Sequence, residues 1–408
     1  MNFLQLFVWG AWLITVGNYW FATKQWSGAE FGAVFTTLGF SSILMPALTG
    51  IIADRFLNAE KLYGILHILG GIALAYIPQV DNPTSFFWVI FAAMLCYMPT
   101  LALSNSIAYT ILKNNDYNII KTFPPIRVWG TIGFIVAMWI TNLSGNKASA
   151  NMFYIAAFSA VVLGIYSFTL PKCPPQKLTK QNASFIESLG LDAFKLFADY
   201  KIALFFIFSM FLGAALQLTN MYGDTFLSDF ANVERYKDSF VVKYSTIIMS
   251  ISQISETLFI LAIPFFLKRF GIKQVMLISM IAWVLRFALF AFGDPEGGLW
   301  MIIMSCIVYG MAFDFFNISG SLFIETSTDS KMRSSAQGLF MMMTNGFGAV
   351  LGGSVSGYII DKYYMTATGK DWNGIWLAFA GYALVIAIVF AITFKHKHNP
   401  EELENINH

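Results

Sequence analysis

Two acids in this sequence sit where an acid is costly. Glu256 closes Ser250-Ile-Ser-Gln253-Ile-Ser-Glu256, and Asp314 lies in Tyr309-Gly-Met-Ala-Phe313-Asp314-Phe-Phe-Asn317, both well inside long apolar stretches. An ionisable side chain at membrane depth marks a substrate or proton path by default. A low dielectric penalises the charged form of a carboxyl. Such a group can take up and release a proton as its surroundings change, which is what proton-coupled transport requires. The competing reading is a carboxyl that only pins two helices, and no embedded lysine competes as its fixed partner.

Polar and aromatic side chains at helical spacing accompany these acids. Gln253 and Glu256 share a face at i, i+3, as do Gln217 and Asn220 in the preceding apolar stretch. Amides in membrane helices often serve only as interhelical glue. Two amide-bearing faces beside two acids can instead satisfy the hydroxyls and ring nitrogens of a neutral, polar solute. Tyr309 and Phe313, at i, i+4 beside Asp314, can present a face to a planar ring, although plain packing explains most such pairs. Arg127 follows Phe123-Pro124-Pro125, with Thr131 and Phe134 at i+4 and i+7 on the same face. That face offers a charge, a hydroxyl and an aromatic ring, but an arginine at a helix start also snorkels to the interface with no other role. Arg286 reads mainly as structural, as do the isolated His67 and the Met341-Met-Met343 run.

The elements that must position these groups are membrane helices. Of 408 residues, 57% are hydrophobic, 17% aromatic and only 12% charged, against about 25% charged in a soluble domain. So few charges cannot clothe a water-facing surface, which excludes a soluble enzyme or a nucleic-acid binder. Cys96, Cys173 and Cys306 have spacings of neither a disulfide framework nor a zinc site, and three of the four histidines lie in the tail. The sequence has no G-x-x-x-x-G-K-[ST] loop, so ATP is not the expected energy source. No metal, cofactor or nucleic acid is expected, and the coupling ion is the proton.

A spanning helix needs about 20 mainly apolar residues. Twelve stretches qualify: 2–23, 30–53, 61–78, 84–112, 124–145, 151–171, 202–227, 240–266, 274–293, 298–324, 334–360 and 373–394. The first lacks the basic start and cleavage site of a signal peptide, and Trp9, Trp12 and Trp20 suit a retained helix. With twelve spans, 16 Lys and Arg fall on the side holding the tail and seven on the other. Positive residues stay cytoplasmic, which places both termini inside. The longest polar connection, 172–201, divides the chain into a six-helix half, 1–171, and a second, 202–394, ahead of a cytoplasmic tail, 395–408. Its 184–198 part is amphipathic and suits the membrane face. A weak repeat supports the division: Gly50-Ile-Ile-Ala-Asp54-Arg55, Phe265-Phe-Leu-Lys268-Arg269-Phe-Gly271 and Gly357-Tyr-Ile-Ile-Asp361-Lys362 each close a span. A glycine before a charged pair suits close helix packing at the membrane edge. Trp26, Trp88, Trp300 and Trp372 lie near span ends, as interfacial belt residues do.

Three stretches are distinctive together: Phe123-Pro-Pro-Ile-Arg127-Val-Trp-Gly-Thr131-Ile-Gly-Phe134, Ser250-Ile-Ser-Gln253-Ile-Ser-Glu256-Thr-Leu-Phe, and Tyr309-Gly-Met-Ala-Phe313-Asp314-Phe-Phe-Asn317-Ile-Ser-Gly. With the Gly50–Arg55 loop, they resemble the nucleoside:proton symporter family of the major facilitator superfamily, nearly end to end. The resemblance implies an all-α membrane protein of two six-helix halves that takes up nucleosides with protons across the bacterial cytoplasmic (inner) membrane, as a carrier rather than an enzyme and as a monomer. It implies a nucleoside site formed by Arg127, Thr131, Phe134, Gln217, Asn220, Gln253, Glu256, Tyr309, Phe313 and Asp314. Asp314 is tied to transport, with Glu256 as the second proton-coupling candidate. The nearest alternative is a carrier of the same fold for a sugar or another small polar solute.

Overall fold

The computed structural model describes residues 1–175, 191–329, 332–367 and 369–397; the side chains of 54–55, 119–121, 124, 191–192 and 334 lie outside the description. The side chains of Asp54 and Arg55, the 184–190 part of the expected amphipathic stretch and the tail beyond 397 therefore lie outside the description, while Leu191–Ala198 forms a short 3-10 helix.

The described chain is almost entirely helical. Helices α1 (Asn2–Gly10), α2 (Gly28–Arg55), α3 (Ala59–Tyr76), α4 (Pro83–Asn114), α5 (Ile119–Leu143) and α6 (Asn151–Ser167) come first. Then follow α7 (Tyr200–Asp229), α8 (Ser245–Phe292), α9 (Leu299–Ser327), α10 (Arg333–Met341), α11 (Gly348–Tyr363) and α12 (Trp372–Thr393). A two-residue antiparallel ladder, β1 (Met365–Thr366) with β2 (Gly369–Lys370), bridges α11 to α12. Among the described residues, nine helices are long and apolar enough to cross a membrane.

Helix starts follow from capping residues. Ser27 accepts from the Glu30 amide and donates to the Glu30 carboxylate at 2.7 Å, so Ser27-Gly-Ala-Glu30 forms a side-chain-to-side-chain variant of the capping box. Asn82 accepts from the Ser85 amide ahead of Pro83, the residue best suited to a first helical position. Asp199 caps α7 through the Lys201 and Ile202 amides, and Asp371 caps α12 through that of Gly374.

Three spans are not straight rods. The first is broken: α1 ends at Gly10, and the chain resumes as Val16–Asn18 and a wide π-turn at Tyr19–Thr23. Another runs from α10 through a π-segment, Met342–Phe347, into α11. In α8, Gly271 adopts φ 76°, ψ 169°, a conformation that only glycine takes at little cost. The chain turns there, and each arm of α8 is long enough to span. Gly271 thus serves a turn. Among the described residues Gly50 has no close neighbour, since a Cβ there would meet none of them within 4 Å. The helix carrying Arg127 begins at Ile119, ahead of the expected 124.

The chain forms two compact units. One comprises 1–189 with Asn220–Thr225, and the other 190–219 with 226–408. In the first, α1 lies along α5, α2 along α4, and α3 against α4 and α6. Buried polar groups bind these helices together: Gln5 donates to Thr100 at 2.9 Å, Tyr63 donates to the Gln5 side chain, and Tyr97 donates to the Gln5 carbonyl at 2.7 Å. At the end of α6, the Cys173 amide donates to Glu60 at 2.9 Å. Burial, and then the Glu60 charge, push the Cys173 thiol up to about 11. In the second unit, α8 packs along α9 and α12. Large apolar side chains face outward on many helices, among them Phe158 at 72% exposure and Leu261 at 78%. Such a surface suits lipid. Trp88 and Trp300 are exposed as belt residues would be, whereas Trp12 and Trp20 are buried in the first unit.

Candidate functional site

In the second unit, the candidate residues sit on helices held together at backbone distance. A Cβ added to Gly310 would lie 2.6 Å from the Ser255 carbonyl, so α9 and the first arm of α8 meet where only glycine fits. Ser255 donates to the Ile307 carbonyl across the same contact, and Ser279, on the second arm, donates to that of Ala312 at 2.5 Å. Glu256 follows Ser255, and Tyr309 precedes Gly310. The contact therefore puts the arm of α8 that carries Gln253 and Glu256 against α9, the helix of Tyr309, Phe313 and Asp314. The Tyr309 hydroxyl lies within electrostatic range of both Glu256 and Asp314.

Asp314 is 4% exposed and Tyr309 is buried, while Gln253, Glu256 and Phe313 are half-buried. The Tyr309 and Phe313 rings are nearly parallel, 9° apart with centroids 6.0 Å apart. Trp283 meets the Tyr309 ring edge-on. Gln217 on α7 is buried, and its side-chain carbonyl has no hydrogen-bond partner among the described residues. A buried acceptor left unmatched costs about 1–3 kcal/mol. Such an atom suits a ligand's donor.

Arg286, on the second arm of α8, is fully buried. It donates from Nε to Thr219 at 3.2 Å, and from Nη1 to Ser252 at 3.3 Å and to the Ser305 carbonyl at 2.7 Å. Its guanidinium lies over the Tyr309 ring at 4.6 Å. Its partners Thr219, Ser252 and Tyr309 are close in sequence to, or among, the candidate residues Gln217, Gln253 and Tyr309.

In the first unit, Arg127, Thr131 and Phe134 share one face of α5. Glycines press α5 onto α1: a Cβ on Gly133 would stand 2.0 Å from the Phe3 carbonyl, and one on Gly10 would stand 2.6 Å from that of Phe134. Arg127 is exposed, Thr131 half-buried and Phe134 buried. Asn220, half-buried, is grouped with this unit, apart from Gln217.

Asp224 was missed by sequence reasoning. It is fully buried, and Asn18 donates to its carboxylate. Lys147 lies within range; burial pulls its ammonium down while Asp224 works against that shift. The available signal was an acid inside the apolar stretch 202–227. His67 is buried as expected, with Nδ1 at 3.0 Å from the Tyr63 carbonyl.

The family model described as nucleoside H+ symporter matches residues 1–399. The chain belongs to the nucleoside:proton symporter family. Symporters of this family move their solutes across a membrane and leave them chemically unchanged. The nucleoside permease NupG of Escherichia coli is 52% identical over 399 residues, covering 98% of this chain and 95% of the permease. The xanthosine permease of the same organism is 50% identical over 406 residues, covering 99% and 97%. The crystal structure of a mutant of the nucleoside transporter NupG superposes with a TM-score of 0.94 at 52% identity, over 97% of this symporter and 98% of that chain. A bacterial homologue of the lysosomal transporter Spinster, 13% identical with a TM-score of 0.70, shares the fold.

Proposed function

We propose that the chain takes up nucleosides with protons across the bacterial cytoplasmic membrane, as a monomer working by alternating access. The observation that carries this reading is Asp314. It is a buried acid in the middle of a membrane helix, next to a parallel pair of aromatic rings, in a chain that matches the symporter family over nearly its whole length. The 50–52% identity to nucleoside and xanthosine permeases favours a nucleoside over a sugar.

The proposed membrane form has twelve spans in two halves with both termini cytoplasmic. Support comes from the nine long helices, the break at Gly271 that makes two spans of α8, the shorter α6, and the broken segment from Asn2 to Thr23. The lysine and arginine bias supports the orientation.

In this reading, the base stacks on Phe313 or Phe134. Tyr309, Gln217, Asn220, Gln253, Arg127 and Thr131 bond base edges and sugar hydroxyls. A site built to bond hydroxyls rejects analogues that lack them. Asp314 carries the coupled proton, with Glu256 as its partner acid. Protonation removes a buried charge and favours passage of the loaded carrier.

Reconstituted protein with labelled uridine tests this. Wild-type vesicles with an alkaline interior are expected to accumulate uridine above the outside concentration, and Asp314→Asn vesicles to reach only equilibrium. Full accumulation by Asp314→Asn would remove Asp314 from coupling.

A further inference from the structure

Arg286 is a buried cation without a counter-ion among the described residues. None of the ion pairs among the described residues includes it. Its charge is met by the Thr219 and Ser252 hydroxyls, the Ser305 carbonyl, and the faces of Tyr309 and Phe290 at 4.6 and 5.1 Å. Its Nη2 has no hydrogen-bond partner among the described residues, and the Cys306 thiol lies beside the guanidinium. Ser305 closes the loop by donating back to the Arg286 carbonyl at 2.9 Å.

A charge in hydrocarbon is a costly way to join helices that neutral side chains can join. Its contacts suggest another use. Thr219 lies two residues from Gln217, Ser252 precedes Gln253, and Tyr309 is itself a candidate. One planar fork therefore reaches three helices, each beside a residue of the proposed site. Arginine suits this because its donors are rigidly arranged and its flat face stacks on a ring, whereas lysine offers a single mobile point charge.

We infer that Arg286 is a positioning residue for nucleoside binding: through Thr219, Ser252 and Tyr309 it fixes the relative placement of Gln217, Gln253 and the Tyr309–Phe313 ring pair. This rests on the site proposed above. Arg286 itself does not touch the nucleoside.

The test separates binding from folding. Uridine affinity and thermal stability are measured on purified full-length protein for Arg286→Lys, Thr219→Val, Ser252→Ala and Gln253→Ala. Thr219→Val and Ser252→Ala each remove one anchor and keep the cation. Each is expected to weaken uridine binding about tenfold in the folded fraction, the loss that one charge-assisted hydrogen bond represents. Arg286→Lys keeps the charge without the fork and is expected to weaken binding at least as much. Gln253→Ala reports on the site itself. If it weakens binding while the two anchor variants lower only the melting temperature and leave affinity unchanged, Arg286 is merely structural and the inference fails. If Gln253→Ala also leaves affinity unchanged, the site assignment has failed instead.

Discussion

Gln217 shows how a single side chain separates glue from recognition. An interhelical amide would have both ends matched, yet its carbonyl is buried and unpaired among the described residues. Gln217→Leu removes that unmatched acceptor at similar volume. The melting temperature is expected to hold or rise, while uridine affinity falls about tenfold. A drop in stability with affinity intact would show that Gln217 only joins helices. Asp314 differs in kind: its value lies in changing charge, so its variant is judged by accumulation rather than by affinity.

Glycines decide how closely the helices approach, and their neighbourhoods differ sharply. At Gly310 a methyl group would be driven into the Ser255 carbonyl, a backbone atom that cannot step aside. Gly310→Ala is expected to cost about 1–3 kcal/mol and to weaken uridine binding, because α9 carries Tyr309, Phe313 and Asp314. At Gly50 the space is open, and Gly50→Ala inside α2 is expected to be neutral or to stabilise by up to about 1 kcal/mol. Thermal melts of the two variants in one detergent check the contrast. Equal shifts would show that the approach of α9 to α8 is not tight.

For the transporter as a whole, substrate choice is the open comparison between a nucleoside carrier and a sugar carrier. Labelled uridine uptake by vesicles is expected to be competed by unlabelled nucleosides and untouched by a hundredfold excess of hexose. The nearly parallel Tyr309 and Phe313 rings suit a flat base, whereas a hexose offers no aromatic face. Competition by hexoses would return the sugar reading.

Much of this molecule was legible in its residues. The shortage of charge required a lipid-facing surface, runs of apolar residues located the helices, and Asp314, Glu256 and their amide neighbours stood out because polar groups are costly in hydrocarbon. Periodicity also placed Arg127, Thr131 and Phe134 on one face. Contacts between distant segments were not legible. The partners of Arg286 lie 67, 34 and 19 positions away, and no local pattern reports them. Asp224 went unnoticed in the sequence, and its burial beside Asn18 is a tertiary feature. Gly50 and Gly271 looked alike in the repeat, yet one has open space around it and the other turns the chain through a positive φ. Local sequence sets which side chains a helix offers. Which of them become buried, paired or left wanting a partner depends on helices that only folding brings alongside.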